Sequence, residues 1–195
     1  MPDHASGPKR KQIESYGQQV IAVPGPRSAA AEAVAQAIED EGANYASHAY
    51  LPHGLAGIAT IAYELYEALG GMPGSVIAPV GHGSLLYGII LGFQALATAH
   101  AVDALPIFVG VQAEACAPLW AYSQMGPAGL TWTTEGETLA EGIRVKTPIR
   151  GEALINLIGT IPLQFHAVTE EAVVPSRDHL ARFGFYVEPT SAVVW

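Results

Sequence analysis

The sequence has little of what several common classes of protein need. Only 14% of its 195 residues are charged, and acidic residues outnumber basic ones 18 to 9, which gives a formal net charge of −9. An acidic balance argues against a general nucleic-acid or anionic-membrane binder, because those surfaces attract through excess lysine and arginine. The low charged fraction indicates either a well-packed α/β domain or a chain that buries surface against a partner.

Cysteine and long apolar runs are also scarce. The single cysteine, Cys116, excludes an internal disulfide and, with no activating base predicted near it, is expected to be a buried small residue. Residues 1–13 are polar, and no segment has the length and apolarity of a membrane span. The seven histidines lack the spacing of metal ligands, so no metal site is predicted. These features together predict a cytoplasmic protein.

What the sequence does have is an alternation of helix and strand patterns. Unbroken apolar runs at 75–80 and 107–111 are typical of parallel strands buried on both faces, and an apolar helix at 85–99 separates them. This order predicts a right-handed crossover and a parallel sheet. Other predictions are strands at 19–23, 163–168 and 185–187, helices at 29–41, 55–69, 153–158 and 169–183, caps at Ser28 and Thr169, a strand edge or loop at 44–50, and irregular chain at 126–151.

A glycine loop, Gly81-His82-Gly83-Ser84, follows the first of the two buried strands and precedes the helix. The first N–H groups of a helix have no internal partner, and the helix dipole places partial positive charge there. Glycines at 81 and 83 let the backbone approach an anion and turn its N–H groups inward. The pattern predicts a phosphate-binding cup, with a tight strand-to-helix turn of small packing residues as the alternative.

This loop matches neither common nucleotide-binding motif. No Gly-Lys-Ser/Thr follows it, as a Walker loop requires, and Leu86 stands where a dinucleotide fingerprint has its third glycine. That fingerprint also needs an acid after the next strand, and Glu114 lies in roughly that region. A nicotinamide cofactor is therefore the weaker alternative to a simple phosphate cup.

The residues around the loop resemble a known family. Val-Ile-Ala-Pro-Val-Gly-His-Gly-Ser-Leu-Leu-Tyr-Gly, residues 76–88, resembles the phosphate-binding stretch of fold-type II pyridoxal-phosphate-dependent enzymes, the tryptophan synthase β-like superfamily. The nearest resemblance is to threonine synthase-like members. Further stretches similar to family motifs follow the family's order, at 48–64, 108–114, 140–143 and 187–192. The resemblance implies an incomplete α/β fold, a three-layer parallel sheet with helices on both faces, and pyridoxal 5′-phosphate as cofactor.

The resemblance also implies a set of cofactor-binding residues, while no catalytic or metal-binding residue is expected in this chain. His82 replaces a more usual Gly or Asn, and it either donates to a phosphate oxygen or caps the helix. Glu188 would lie near the cofactor ring, or else it is a loop carboxylate that pairs with a local N–H group. The implied cofactor-binding residues are Gly81, His82, Gly83, Ser84, Leu85 and Glu188.

Two essential parts of the family's chemistry are not found. Its members carry a lysine that forms a Schiff base with the cofactor aldehyde, and a Ser/Thr-Gly-Asn loop for the substrate carboxylate. Neither occurs here, since Lys9, Lys11 and Lys146 are the chain's lysines and none has the family context. The resemblance thus implies a C-terminal fragment, a partial enzyme domain over 1–195. Residues 14–50 would be the edge of the N-terminal subdomain, and 51–195 most of the large cofactor-binding subdomain.

The chain is therefore expected to be the cofactor-phosphate-binding portion of an amino-acid lyase or threonine synthase-like enzyme, inactive by itself. The alternative is a non-catalytic module or subunit that binds a phosphorylated small molecule or a nucleotide. Expected partners are an amino-acid substrate in the complete enzyme, and either a second copy of the chain or a missing N-terminal half. No nucleic acid or membrane partner is expected.

Overall fold

The computed structural model describes residues 1–3, 5, 7–42, 44–45, 47–50 and 53–195. The chain divides into two compact units, Met1–Ser47 and His48–Trp195. Among the described helices, none is long and apolar enough to cross a membrane. The family-like stretch at 48–64 includes Leu51 and Pro52, which lie outside the described residues.

The first unit holds α1 (Gly7–Ser15) and α2 (Arg27–Glu41). The predicted helix at 29–41 is confirmed, and it ends at Gly42 in a left-handed conformation whose N–H donates to Ile38. The predicted cap is wrong, because the helix begins earlier and Pro26, not Ser28, holds the N-cap position. The predicted strand at 19–23 is also wrong. Within the described part of this unit, Val23 forms only an isolated bridge to Pro2, so no ladder extends the pairing.

The second unit contains a parallel sheet of strand order β1-β2-β3. Ala78, Gly110 and Phe165 lie in register across it, and both strand pairs are parallel, as predicted. Its elements are α3 (Gly54–Leu69), β1 (Ser75–Pro79), α4 (Ser84–Thr98), β2 (Ile107–Ala113), α5 (Pro118–Met125), α6 (Pro127–Trp132), α7 (Gly151–Ile155), β3 (Leu163–Val168), α8 (Glu170–Arg182) and α9 (Pro189–Ala192).

One face of the sheet packs against α3 and α4. Leu86 and Phe93 of α4 are fully buried in the same cluster as Phe108 of β2. Two glycines four residues apart let α4 approach α3 closely, since a methyl group added to Gly92 would collide with the Ala59 carbonyl oxygen. Gly88 makes a similar approach to Ile58. This tight packing fixes the position of α4, and with it the start of the helix where the glycine loop ends.

On the opposite face of the sheet, residues of α8 and of the chain after α9 cover the carboxyl-terminal part of β2. Val111 and Ala113 of β2 pack there with Val173 of α8 and with Val193, just after α9. Ile77, in the middle of β1, and Ile107, at the start of β2, keep 47% and 45% of their surface exposed. Helices on both faces of a parallel sheet confirm the predicted three-layer α/β architecture.

Two predictions for the second half of the chain are wrong. Residues 185–187 form no strand, because Gly184, at a φ of 88°, turns the chain as α8 ends and no described strand pairs with the segment. The chain from 126 to 151 is not wholly irregular, since Pro127 opens α6, and Gly129 packs on Ala121. Thr169 does hold the cap position of α8, but its side chain makes no capping bond to the backbone.

Candidate anion-binding site

The glycine loop lies at the carboxyl end of β1, where the chain turns into α4. Strand pairing continues up to the loop, because the Val80 N–H donates to the Val111 carbonyl at 2.8 Å. Gly83 is the N-cap of α4 and has a φ of 87°, a left-handed conformation that favours glycine. The loop therefore has the strand–turn–helix geometry that an anion cup requires.

Both glycines of the loop are packed too closely to carry a side chain. A methyl group added to Gly81 would lie 3.0 Å from the Gly142 carbonyl oxygen and 3.1 Å from Ile143 Cα. One added to Gly83 would lie 2.7 Å from Leu154 Cδ1. Small residues are thus needed here for packing alone, so the glycines by themselves do not distinguish a cup from a tight turn.

The first turn of α4 offers N–H donors that have no backbone acceptor among the described residues. The Tyr87 N–H, which donates to Gly83 at 3.0 Å, closes the first helical turn. The N–H groups of Ser84, Leu85 and Leu86 precede it and have no intrahelical acceptor. Leu85 exposes 38% of its surface and has an apolar side chain, so only its backbone N–H could donate to an anion.

Ser84 is the residue that distinguishes a cup from a turn. It is 9% exposed, and its hydroxyl oxygen is buried without a hydrogen-bond partner among the described residues. Leaving a buried polar group unsatisfied costs about 1–3 kcal/mol. A packing turn has no use for such a group, whereas an anion seated on the helix N-terminus would accept its hydrogen bond.

His82 is half-buried and lies one residue before the helix cap, which is Gly83. Its backbone carbonyl accepts a hydrogen bond from the Arg150 N–H at 2.9 Å. The Arg150 side chain makes a hydrogen bond of its own, in which Nη2 donates to the Ala49 carbonyl at 3.2 Å. The turn before α7 is therefore attached directly to the glycine loop.

Gln112 supports the loop from the neighbouring strand, a role that was not predicted from the sequence. Its side chain is fully buried and makes three hydrogen bonds. Nε2 donates to the Val80 carbonyl at 3.1 Å, while Oε1 accepts from the N–H groups of Leu119 at 2.9 Å and Trp120 at 3.1 Å. An amide inside an apolar buried strand was the signal that could have revealed it.

Glu188 lies at the N-cap of α9, where its side chain is exposed. Two residues further on, the Thr190 hydroxyl oxygen accepts a hydrogen bond from the Gly142 N–H at 3.1 Å. The Gly142 carbonyl in turn packs against Gly81. The structure thus connects the start of α9 to the glycine loop through one intervening residue.

Glu114, the acid of the nicotinamide alternative, begins a short 3-10 turn after β2 and is exposed. It lines a cavity of about 120 Å³ together with the indoles of Trp120 and Trp132 and the side chain of Met125. This cavity has no glycine of the loop in its lining. Glu114 therefore lines a cavity that is separate from the cup.

The lysines and the cysteine lie as follows. Lys9 and Lys11 are exposed on α1 of the first unit, and Lys146 is exposed next to Val145, which packs on Gly81. Cys116 is buried, as predicted. This burial is the largest cause of the raised pKa of its thiol, and the negative charge of Glu135 is the second. In the part of the chain that the structure describes, no three His, Cys, Asp or Glu side chains are grouped as a metal site would need.

Comparison with known proteins gives one family and a consistent set of relatives. The model of the family described as "Pyridoxal-phosphate dependent enzyme" matches residues 1–195. Threonine synthase of Methanocaldococcus jannaschii is 31% identical over 186 residues, which are 94% of this chain and 46% of that protein. L-threonine ammonia-lyase of Thermotoga maritima is 31% identical over 174 residues, 89% of this chain and 40% of that protein.

Solved structures show the same similarity at the level of the fold. A threonine deaminase from T.th. superposes with a TM-score of 0.73 at 25% identity, over 99% of this chain and 60% of that one. A fungal L-serine ammonia-lyase from Rhizomucor miehei superposes with a TM-score of 0.76 at 19% identity, over 99% and 59%. This chain therefore spans less than two thirds of the length of each relative.

Proposed function

Because the chain belongs to the pyridoxal-phosphate dependent enzyme family, which confirms the resemblance drawn from its motifs, we propose that the glycine loop holds the phosphate group of that cofactor. The observation that carries the proposal is the buried Ser84 hydroxyl, which has no partner in the described structure and lies at the N-terminus of a helix of 15 residues. A phosphate oxygen would accept from this hydroxyl and from the free N–H groups of the first turn.

The residues of the cup have separate roles in this proposal. Gly81 and Gly83 give the backbone its close packing and its turn, Ser84 donates its hydroxyl, and Leu85 donates its N–H. His82 lies on the same loop, and Glu188 lies near the ring of the cofactor. When bound, pyridoxal 5′-phosphate supplies an electron sink for a carbanion at the Cα of an amino acid. The residues of this chain bind and orient the cofactor.

We propose further that the lysine to which the family links its cofactor is not among the lysines of this chain. Lys146 is exposed, as are Lys9 and Lys11 in the first unit. The chain covers 46% of the Methanocaldococcus jannaschii threonine synthase, which leaves room for a linking lysine outside the shared part. We therefore propose that the complete enzyme catalyses elimination or replacement on an amino acid, as a lyase or a threonine synthase-like enzyme does. We also propose that it is cytoplasmic.

The same proposal assigns the partners. A separate N-terminal half, or a second copy of the chain, would complete the site around the cup. In its support, the chain leaves apolar strand residues such as Ile77 and Ile107 partly exposed, together with Phe183, Phe185 and Tyr186 beyond α8. Such surfaces are typical of contact sites.

Borohydride reduction tests whether the chain uses a lysine of its own. The chain is incubated with pyridoxal 5′-phosphate, reduced, digested and analysed by mass spectrometry, with L-threonine and L-serine turnover measured in parallel. The expected result is scattered, substoichiometric labelling of the exposed lysines and no turnover. Stoichiometric labelling of one lysine, lost in a Lys146→Arg or Lys9→Arg variant together with elimination activity, would contradict the proposal.

A further inference from the structure

Arg150 lies beside the glycine loop with an incomplete set of partners. We propose that Arg150 is a further anion-binding residue of the cup, and that its charge compensates the charge of the bound phosphate. This inference rests on the proposed function, because it requires that the loop holds an anion. It concerns a residue that none of the motifs around the loop points to.

The position of Arg150 is fixed from two sides. Its backbone N–H donates to the His82 carbonyl at 2.9 Å. A methyl group added to Gly83 would lie 3.2 Å from Arg150 Cβ, so the side chain starts next to the N-cap of α4. An arginine side chain is long enough, from such a start, for its charge to act on an anion held by Gly83 and Ser84. In partly buried surroundings this attraction is several times stronger than in bulk water.

The hydrogen bonds of the guanidinium are only partly satisfied. Nη2 donates to the carbonyl of the buried Ala49 at 3.2 Å, but the Nε–H is buried and has no partner among the described residues. No carboxylate of the described chain forms an ion pair with Arg150. A half-buried cation with an unsatisfied donor is costly unless an anion accompanies it. The Nε–H needs an acceptor and the guanidinium charge favours an anionic one, and the adjacent cup is the place where such an anion would sit.

The competing interpretation is that Arg150 is a positioning residue. Through Nη2 it holds the segment around Ala49 near the loop, and loss of that bond alone would loosen the cup. The two roles make different demands on the side chain. Charge compensation needs a cation and depends on salt, whereas positioning needs a hydrogen-bond donor and depends on the order of residues 47–50.

Two substitutions separate these roles. Arg150→Lys keeps the charge, and Arg150→Gln keeps an amide donor but removes the charge. The dissociation constant of inorganic phosphate is measured for each by titration calorimetry at several salt concentrations. Arg182→Gln, on the exposed end of α8, is the control for net charge. Hydrogen exchange at residues 47–50 and the thermal midpoint report on the positioning role.

The inference predicts that Arg150→Gln weakens phosphate binding about tenfold, the loss typical of one charge-assisted contact. Arg150→Lys and Arg182→Gln are expected to stay within about threefold of the parent chain. The salt dependence of binding is expected to become shallower only in Arg150→Gln. If Arg150→Gln fails to fold, two measurements still test the charge role. They are a steep salt dependence of phosphate binding in the parent chain and a phosphate affinity of Arg150→Lys close to that of the parent chain.

Three results would overturn the inference. Unchanged binding and salt dependence in Arg150→Gln would remove the charge role but leave the cup intact. Equal losses in Arg150→Gln and Arg150→Lys, accompanied by faster exchange at residues 47–50, would show positioning instead of charge compensation. A parent chain that binds no phosphate at all would overturn the cup itself, and the inference with it.

Discussion

Two buried polar regions flank the glycine loop, and they differ in whether their hydrogen bonds are complete. On the β2 side, the Gln112 amide makes three hydrogen bonds and joins the Val80 carbonyl to the start of α5. On the α4 and α7 side, the Ser84 hydroxyl and the Arg150 Nε–H are buried without partners in the described structure. Both regions contact the same loop: Gln112 bonds to Val80, which precedes it, and Arg150 bonds to His82 within it.

We interpret this difference as one between a supporting region and the proposed ligand-binding region. A buried polar group that is fully satisfied specifies a conformation, and its loss leaves its former partners unsatisfied. A buried group without a partner adds nothing to the fold and costs free energy unless a ligand provides the missing atom. Substitutions on the Gln112 side should therefore change stability, and substitutions on the Ser84 side should change phosphate affinity.

Gly83→Ala is expected to have the largest effect, because Gly83 lies in the loop between the two regions and is needed both for packing and for the N-cap of α4. Its φ of 87° disfavours any side chain, and the added methyl would lie 2.7 Å from Leu154 Cδ1. We expect a loss of about 3 kcal/mol in the free energy of unfolding, measured by urea denaturation, and no detectable phosphate binding. Gly74→Ala is the control, since nothing lies within 4 Å of its added methyl. Equal effects of the two substitutions would contradict the account of the loop.

Gln112→Leu tests the supporting region. It removes three hydrogen bonds and leaves the Val80 carbonyl and two N–H groups of α5 buried and unpaired. We expect the free energy of unfolding to fall by about 2 kcal/mol, while the molecules that fold still bind phosphate within a few-fold of the parent affinity. Gln164→Leu, an exposed position on β3, is the matched control and should be close to neutral. A stable Gln112→Leu that no longer binds phosphate would reverse the assignment of the two regions.

Ser84→Ala tests the ligand-binding region. Because the Ser84 hydroxyl has no partner among the described residues, its removal should change the free energy of unfolding by less than about 1 kcal/mol. The affinity for phosphate should fall about three- to tenfold, as a single lost hydrogen bond predicts. Ser123→Ala on the exposed face of α5 is the control. A clear loss of stability with unchanged phosphate affinity would mean that the hydroxyl supports the fold and does not bind the ligand.

The smallest expected effect is on a polar group outside both regions. Hydrogen bonds from its own backbone N–H and from the Thr169 side chain lower the pKa of Glu171, at the start of α8, below its ordinary value of 4.5. Its contribution is present above that value and is lost as the pH falls through the lowered pKa. Glu171→Gln should slightly flatten the decline of the thermal midpoint below pH 4.5, with Glu152→Gln as the control for charge. If the thermal midpoint of Glu171→Gln falls with pH as it does in the parent chain, the hydrogen bonds of Glu171 do not contribute to stability.

Sequence patterns predicted the parts of the fold whose signal is local. The apolar runs at 75–80 and 107–111 and the helical periodicity at 55–69 became β1, β2 and α3. The apolar runs at 19–23 and 185–187 did not become strands, because a strand also needs a neighbour to complete its hydrogen bonds. Such pairing depends on tertiary structure, which local composition does not encode.

The candidate site divides in the same way. The glycine loop was predicted because its residues are consecutive and their backbone chemistry is general. Arg150 and Gln112 were not, because their partners are distant in the chain: Ala49 is 101 residues from Arg150, and Val80 is 32 residues from Gln112. Only the folded structure brings them to the loop, Arg150 through its N–H bond to His82 and Gln112 through its bond to Val80. The buried, unsatisfied state of Ser84 is likewise a property of packing rather than of sequence.

The central claim, that the glycine loop binds a cofactor through its phosphate, is tested most directly with two ligands that differ only in that group. Pyridoxine 5′-phosphate and pyridoxine both lack the aldehyde, so neither can react with a lysine. The account predicts that the phosphorylated compound binds at least about tenfold more tightly in titration calorimetry, and that inorganic phosphate displaces it. Equal affinity for the two compounds, or no competition by phosphate, would contradict it.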